Sequence, residues 1–93
     1  MQIFEWAENK EKVNLSKHKV SFAEAETVFY DQLAVTISDP DHSIEENRFI
    51  DIGTSDKNRI LIVSYTERGE SIRIISARKA TRSERKKYEK ENY

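Results

Sequence analysis

The spacing of apolar residues along this chain changes period twice, from strand-like to helical and back. "IFEW" (Ile3 to Trp6) alternates apolar and polar positions, as a short strand does. Residues 8–18, "ENKEKVNLSKH", are polar and helix-compatible, with Val13 and Leu15 as the candidates to face inward. "SFAEAETVFY" opens on Ser21 and carries Glu24 three positions later, the spacing of a capping box. Phe22, Ala25, Val28 and Phe29 then form a stripe at helical spacing. Lys17, His18 and Lys19 fall between these two helices, where cations interact favourably with the end of a helix dipole.

Four strand candidates follow. "LAVTIS" (33–38) stops at the turn signal Asp39-Pro40. "RFIDIG" (48–53) is joined by "TSDKN" to "RILIVSYTE" (59–67). The turn "ERGE", with Gly69 free in φ, leads into "SIRIISAR" (71–78). Three hairpin-length connections in succession predict an antiparallel meander. The last two strands are apolar on both alternating faces, Ile60 and Ile62 against Leu61 and Val63, then Ile72 and Ile74 against Ile75 and Ala77. That pattern predicts central strands with helices on one face and a second layer on the other. "TRSERKKYEKENY" starts on Thr81 with Glu84 at capping-box spacing, and it has almost no apolar stripe beyond Tyr88. The predicted fold is α+β in a single domain spanning 1–93. It has a short N-terminal strand, two N-terminal helices, a four-stranded antiparallel meander sheet and a C-terminal helix.

Composition sharpens this. The chain is 37% hydrophobic and 35% charged, so its core is modest and its surface heavily charged. Four Phe, four Tyr and one Trp still distinguish it from a disordered chain. There is no cysteine, which removes disulfides, thiolate metal sites and a cysteine nucleophile, and fits a reducing, cytoplasmic setting. No segment has the length of a membrane span, and the N-terminus lacks the apolar core of a signal peptide. The net charge of −1 conceals a polarity: residues 71–93 hold eight Lys or Arg against three Glu, and residues 1–70 hold eight against fourteen Asp or Glu. Such polarity points to a polyanion, an acidic protein, pairing of the two halves, or simply a solvated terminal helix.

Candidate chemistry is sparse. Two histidines without i, i+4 spacing and two glycines exclude the usual zinc and phosphate-loop motifs, and "DPDH" around His42 reads as a turn. What remains is a set of arginines with one acid and one ring: Arg48, Tyr65, Glu67, Arg73 and Arg78 as catalytic candidates. Lys79, Arg82, Arg85, Lys86 and His18 are the candidates for RNA contact. Arginine clamps phosphate and tyrosine can stack an exposed base. Metal-free RNA cleavage needs a base for the 2′-hydroxyl, an acid for the leaving oxygen and fixed cations for the phosphorane. In that scheme Arg73 and Arg78, with Arg48, hold the phosphate, Glu67 is the base with His18 as an outsider, and Tyr65 positions a nucleobase. Each residue also has a structural reading: Arg73 paired to Glu67 or an aspartate, Tyr65 in the core, Arg48 guarding an edge, His18 at a helix end. A non-catalytic RNA- or protein-binding module and an inactive homologue both stay open.

The segments "FEW", "NLSKHKVSFAEAETVF", "DP", "DHS", "YTERG" and "IRIISARKATRSERKKYE" together resemble the BrnT family of toxins over Phe4 to Glu89. The resemblance implies a RelE-like fold and a cofactor-free ribonuclease, a toxin of a type II toxin–antitoxin pair that blocks translation. It also implies a BrnA-like ribbon-helix-helix antitoxin, through which alone the pair contacts operator DNA. Two departures stand out. Ala7 replaces the family's common Asp after the tryptophan, which leaves the first helix without that cap. Lys19 replaces a usual Gly after "KH", which is strained if the position needs positive φ.

Overall fold

The computed structural model describes residues 2–39 and 47–92. Its elements are β1 (Ile3–Glu5), α1 (Glu8–His18), α2 (Phe22–Thr27), a 3-10 turn (Val28–Tyr30), β2 (Val35–Ser38), β3 (Arg48–Thr54), β4 (Ile60–Arg68), β5 (Ser71–Lys79) and α3 (Arg82–Asn92). The protein is α+β, with three helices and a five-stranded mixed sheet in the order β1-β5-β4-β3-β2. Strands β2 to β5 pair antiparallel with their sequence neighbours, and β1 adds a parallel edge beside β5. The predicted four-stranded sheet is therefore corrected to five. Parallel pairing of the first strand with the last leaves no local turn signal, so the chain pattern does not reveal it.

One sheet face carries α1 and α2. Leu61, Val63, Ile74 and Ala77 meet Val20, Phe22, Ala25 and Val28 in a fully buried core, closed by Phe4, Trp6 and Phe29. Trp6 and Phe22 meet edge-on at 6.0 Å between ring centroids. The other face carries α3, where Tyr88 and Ala80 cover Ile52 and Ile62, with Val35, Ile50 and Ile60 alongside. Both faces of β4 are buried as its double apolar pattern predicts. On β5 the pattern is broken by a bulge: Ser76 pairs with Ser64, but Ile74 pairs with Tyr65, so Ile75 is the extra residue. Ile72, Ile74 and Ala77 consequently share the α1–α2 face. The reading that set Ile75 and Ala77 opposite Ile72 and Ile74 does not hold.

Local details explain the helix ends. Lys19 ends α1 in the left-handed region, φ 59, with its N–H donating to the Leu15 carbonyl. A non-glycine residue there costs about 1–2 kcal/mol relative to the right-handed form. Ala7 makes no side-chain cap, as its identity requires. The Ser21 hydroxyl accepts from the Glu24 N–H, while the Glu24 carboxylate turns inward to Arg59 and Ser55. Arg59 also reaches the Lys19 carbonyl, which ties the β3–β4 connection to the end of α1. At Gly53 a Cβ would lie 2.8 Å from Val28 Cγ1, so glycine is what lets the 3-10 turn approach β3.

Val13 and Leu15, the expected inward residues of α1, are 64% and 47% exposed, and Asn14 between them is buried. The Asn14 amide donates to the Val20 and Ala77 carbonyls at 2.9 and 2.8 Å and accepts from the Ala77 N–H at 3.1 Å. A polar side chain thus docks α1 onto β5.

Candidate functional site

Alternation along the strands sorts the candidate residues by face. Glu5 is opposite Arg73, Arg73 opposite Thr66, and Thr66 opposite Arg48, so these four form one row across β1, β5, β4 and β3. The row lies on the same face as α3, which packs over the isoleucines nearer the other ends of the strands. Arg73 Nη1 lies 4.0 Å from Glu5 Oε1, with both side chains partly exposed. Between the arginines the Thr66 side chain is buried, and its hydroxyl has no hydrogen-bond partner among the described residues. The bulge makes this arrangement possible, because it brings Arg73, Ser76 and Arg78 to one face of β5.

Glu67 and Tyr65 are on the opposite face. Glu67 is opposite Ile72 and exposed. Tyr65 is buried between the rings of Phe29 at 4.9 Å and Phe49 at 5.7 Å. Its hydroxyl donates to Asp51 at 2.8 Å, and Thr36 donates to the same carboxylate oxygen. Burial pushes the Tyr65 phenol well up, with the Asp51 charge adding to it. Burial also raises the Asp51 carboxyl, against the lowering effect of hydrogen bonds from Thr36 and Tyr65. These are core groups, and the expected pairing of Glu67 with Arg73 is replaced by Glu5 with Arg73.

Arg78 is on the row's face but committed elsewhere. Its two terminal nitrogens donate to the two Glu84 oxygens at 2.8 and 2.9 Å. Glu84 also accepts from the Thr81 N–H, and its own N–H donates to the Thr81 hydroxyl, completing the capping box read from the sequence. The Arg78 hydrogen bonds are the largest of the effects that hold the Glu84 carboxyl down at about 2.

The residues expected to contact RNA are scattered. Lys79 and Arg85 line a cleft of about 260 Å³ with Asn58 and Arg59. Arg82 and Lys86 are exposed on α3. His18 is half-buried, in a separate cleft of about 340 Å³ between α1 and β5. His42 lies outside the described residues. Among the described residues no group of three or more His, Asp or Glu is placed to hold a metal ion. No described helix is long and apolar enough to cross a membrane. Sequence reasoning missed Glu5, whose only signal was its place in an alternating segment, and Asn14, which had none.

A five-stranded mixed sheet with helices on both faces and an arginine row on one of them defines a small α+β class. The model of the family "Ribonuclease toxin, BrnT, of type II toxin-antitoxin system" matches residues 6–84, and the chain belongs to that family. Among solved structures it is similar to the crystal structure of the Brucella abortus ribonuclease toxin BrnT. The TM-score is 0.65 at 24% identity, covering 88% of this chain and 100% of that one, a likeness of fold. No curated protein sequence matches.

Proposed function

We propose that this protein is a RelE-like, metal-independent endoribonuclease toxin that cleaves RNA in the cytoplasm to inhibit translation. A BrnA-like ribbon-helix-helix antitoxin neutralises it, and operator DNA is contacted only through that antitoxin. Family membership supports the ribonuclease class, and one observation carries the site: Arg48 and Arg73 flank Thr66 in a single cross-strand row. Strands two apart set the two backbones about 10 Å from each other, within reach of one phosphate for two guanidinium groups.

In this reading the arginines hold the scissile phosphate and stabilise the charge that builds on its non-bridging oxygens. Glu5, the carboxylate beside Arg73, takes the base role that the sequence suggested for Glu67. It accepts the 2′-hydroxyl proton as O2′ bonds to phosphorus. The bond from phosphorus to O5′ breaks, and O5′ takes up a proton from solvent. The products are a 2′,3′-cyclic phosphate and a 5′-hydroxyl. Arg78 supports the site through Glu84, and Tyr65 supports it from the core.

The test is cleavage of labelled RNA in EDTA. Arg73→Ala is expected to lower the rate by roughly 10²–10³-fold, the loss typical for one fixed donor to a developing oxyanion. Glu5→Gln is expected to cost more than Glu67→Gln. Full cleavage by folded Arg73→Ala, checked by circular dichroism, rules this site out. Salt-sensitive RNA binding without any cleavage by the wild type would make the protein a binding module instead.

A further inference from the structure

The cleft between α1 and β5 is distinct from the arginine row, none of whose residues lines it. Lys10, Val13, Lys17 and His18 come from one face of α1, and Ile75 and Ser76 come from the bulge of β5. The spacing from Lys10 to Lys17 is two helical turns, roughly 10 Å along the axis. None of the residues lining this cleft is acidic, in a chain that has seventeen Asp and Glu. Lys10 and Lys17 are exposed, and Asn14 at the floor of the cleft fixes the helix against the strand. Ser76 lies on the row's face of β5, three residues from Arg73, while α1 packs on the other side, so the cleft and the row meet round the edge of β5 that β1 leaves open beyond Arg73.

We infer that this cleft holds the sugar-phosphate backbone of the RNA flanking the scissile bond. The substrate then runs from the Arg48–Arg73 row across the bulge and along α1, rather than along the cationic α3. The inference rests on the ribonuclease reading and assigns a path to its substrate. Charge complementarity carries it: two lysines and an imidazole face a groove free of carboxylates, and Val13 and Ile75 offer apolar surface to a base or ribose. A second cationic groove, around Lys79, is less open to a ligand, since Arg59 there is engaged by Glu24 and Arg85 reaches the Ala80 carbonyl.

The experiment measures binding of a fluorescein-labelled 2′-O-methyl RNA 20-mer, which lacks the attacking hydroxyl, across a salt series. The variant Lys10→Ala/Lys17→Ala is compared with the equal-charge control Lys12→Ala/Lys57→Ala, whose lysines are not in the cleft. Two lost phosphate contacts reduce the slope of log affinity against log salt by roughly 1.4 for a single strand. The control slope stays at the wild-type value. Equal slopes for the variant and wild type overturn the inference while leaving the ribonuclease reading intact. An unchanged RNA slope with weakened binding of poly-glutamate reassigns the cleft to an acidic protein and also overturns it. Absence of salt-sensitive RNA binding by the wild type overturns both readings.

Discussion

Where β1 ends at Glu5, the outer edge of β5 loses its strand neighbour, and at Ala77 the Asn14 side chain takes that place. Its amide meets the free N–H and C=O of one edge residue, as a backbone would. Asn14→Leu keeps the branching and heavy-atom count but leaves both Ala77 groups buried and unpaired. The expected loss is about 2–4 kcal/mol, read as a lower urea midpoint with unchanged slope. A midpoint within error of the wild type would mean that water replaces the amide without cost. This residue was illegible in the sequence for a physical reason. In a polar helix, the rule that apolar residues face inward selects Val13 and Leu15, and nothing local marks one of several polar side chains as the buried one. Lys19 was legible only through the resemblance, which sets a glycine at its position, and the left-handed backbone there supplies the physical reason.

At the scale of elements, α3 is attached through its first turn. Its N-terminus is closed by Thr81 and Glu84, and Glu84 is clamped by Arg78 from β5. At its far turns the Tyr88 hydroxyl donates to Asp31 and lies 3.2 Å from the Thr54 hydroxyl. The folded pKa of Glu84, about 2, is below its ordinary 4.5. Its stabilising contribution is therefore present above pH 4.5 and lost as the pH falls towards 2. Glu24 acts in the same sense, held down chiefly by its Arg59 hydrogen bonds. Asp51, raised by burial, acts in the opposite sense, because protonation relieves its cost. Glu84→Gln is expected to lower stability at neutral pH and to flatten the pH dependence between 4.5 and 2, in thermal melts across that range. Parallel wild-type and variant curves would show that the Arg78 clamp contributes nothing. The cap was readable from Thr81 and Glu84 three residues apart. The role of Arg78 was not, since an arginine before a cationic helix fits phosphate as well as it fits a carboxylate six residues on.

For the whole molecule, the meander and helix order were legible because hairpins and caps are written in neighbouring residues. The proposed site was only half legible. Arg48 and Arg73 stood out by their places in strand patterns, but the carboxylate beside Arg73 comes from β1, which joins the sheet through a pairing with no local signature. Glu67 and Tyr65, close to Arg73 in sequence, are turned to the other side by strand alternation. The charge polarity between the two parts of the chain is relieved in part by Arg73 with Glu5, an ion pair that joins them. The remaining cations are spread over the helices, over β3, β4 and β5, and over the β3–β4 connection rather than gathered at one end.

The bulge at Ile75 makes β5 sensitive to counting. Arg73 and Arg78 are five apart, an odd interval that in a regular strand would send them to opposite sides, and the extra residue restores agreement. Deleting Ile75 would make the ladder regular and leave its pairing intact: Ile74 would follow Ser76 directly, still opposite Tyr65, and Arg73 would stay opposite Thr66. The interval from Arg73 to Arg78 would fall to four, an even count that keeps both on one face without a bulge. Substitutions such as Ile75→Val or Ile75→Thr, and the deletion itself, should therefore give folded protein with RNA cleavage within a few fold of wild type. A folded deletion variant without cleavage would show that the bulge itself, rather than the face it sets, is needed. A lineage could lose this residue, whereas keeping it in a strand straightened of its bulge would turn Arg73 into the aromatic core.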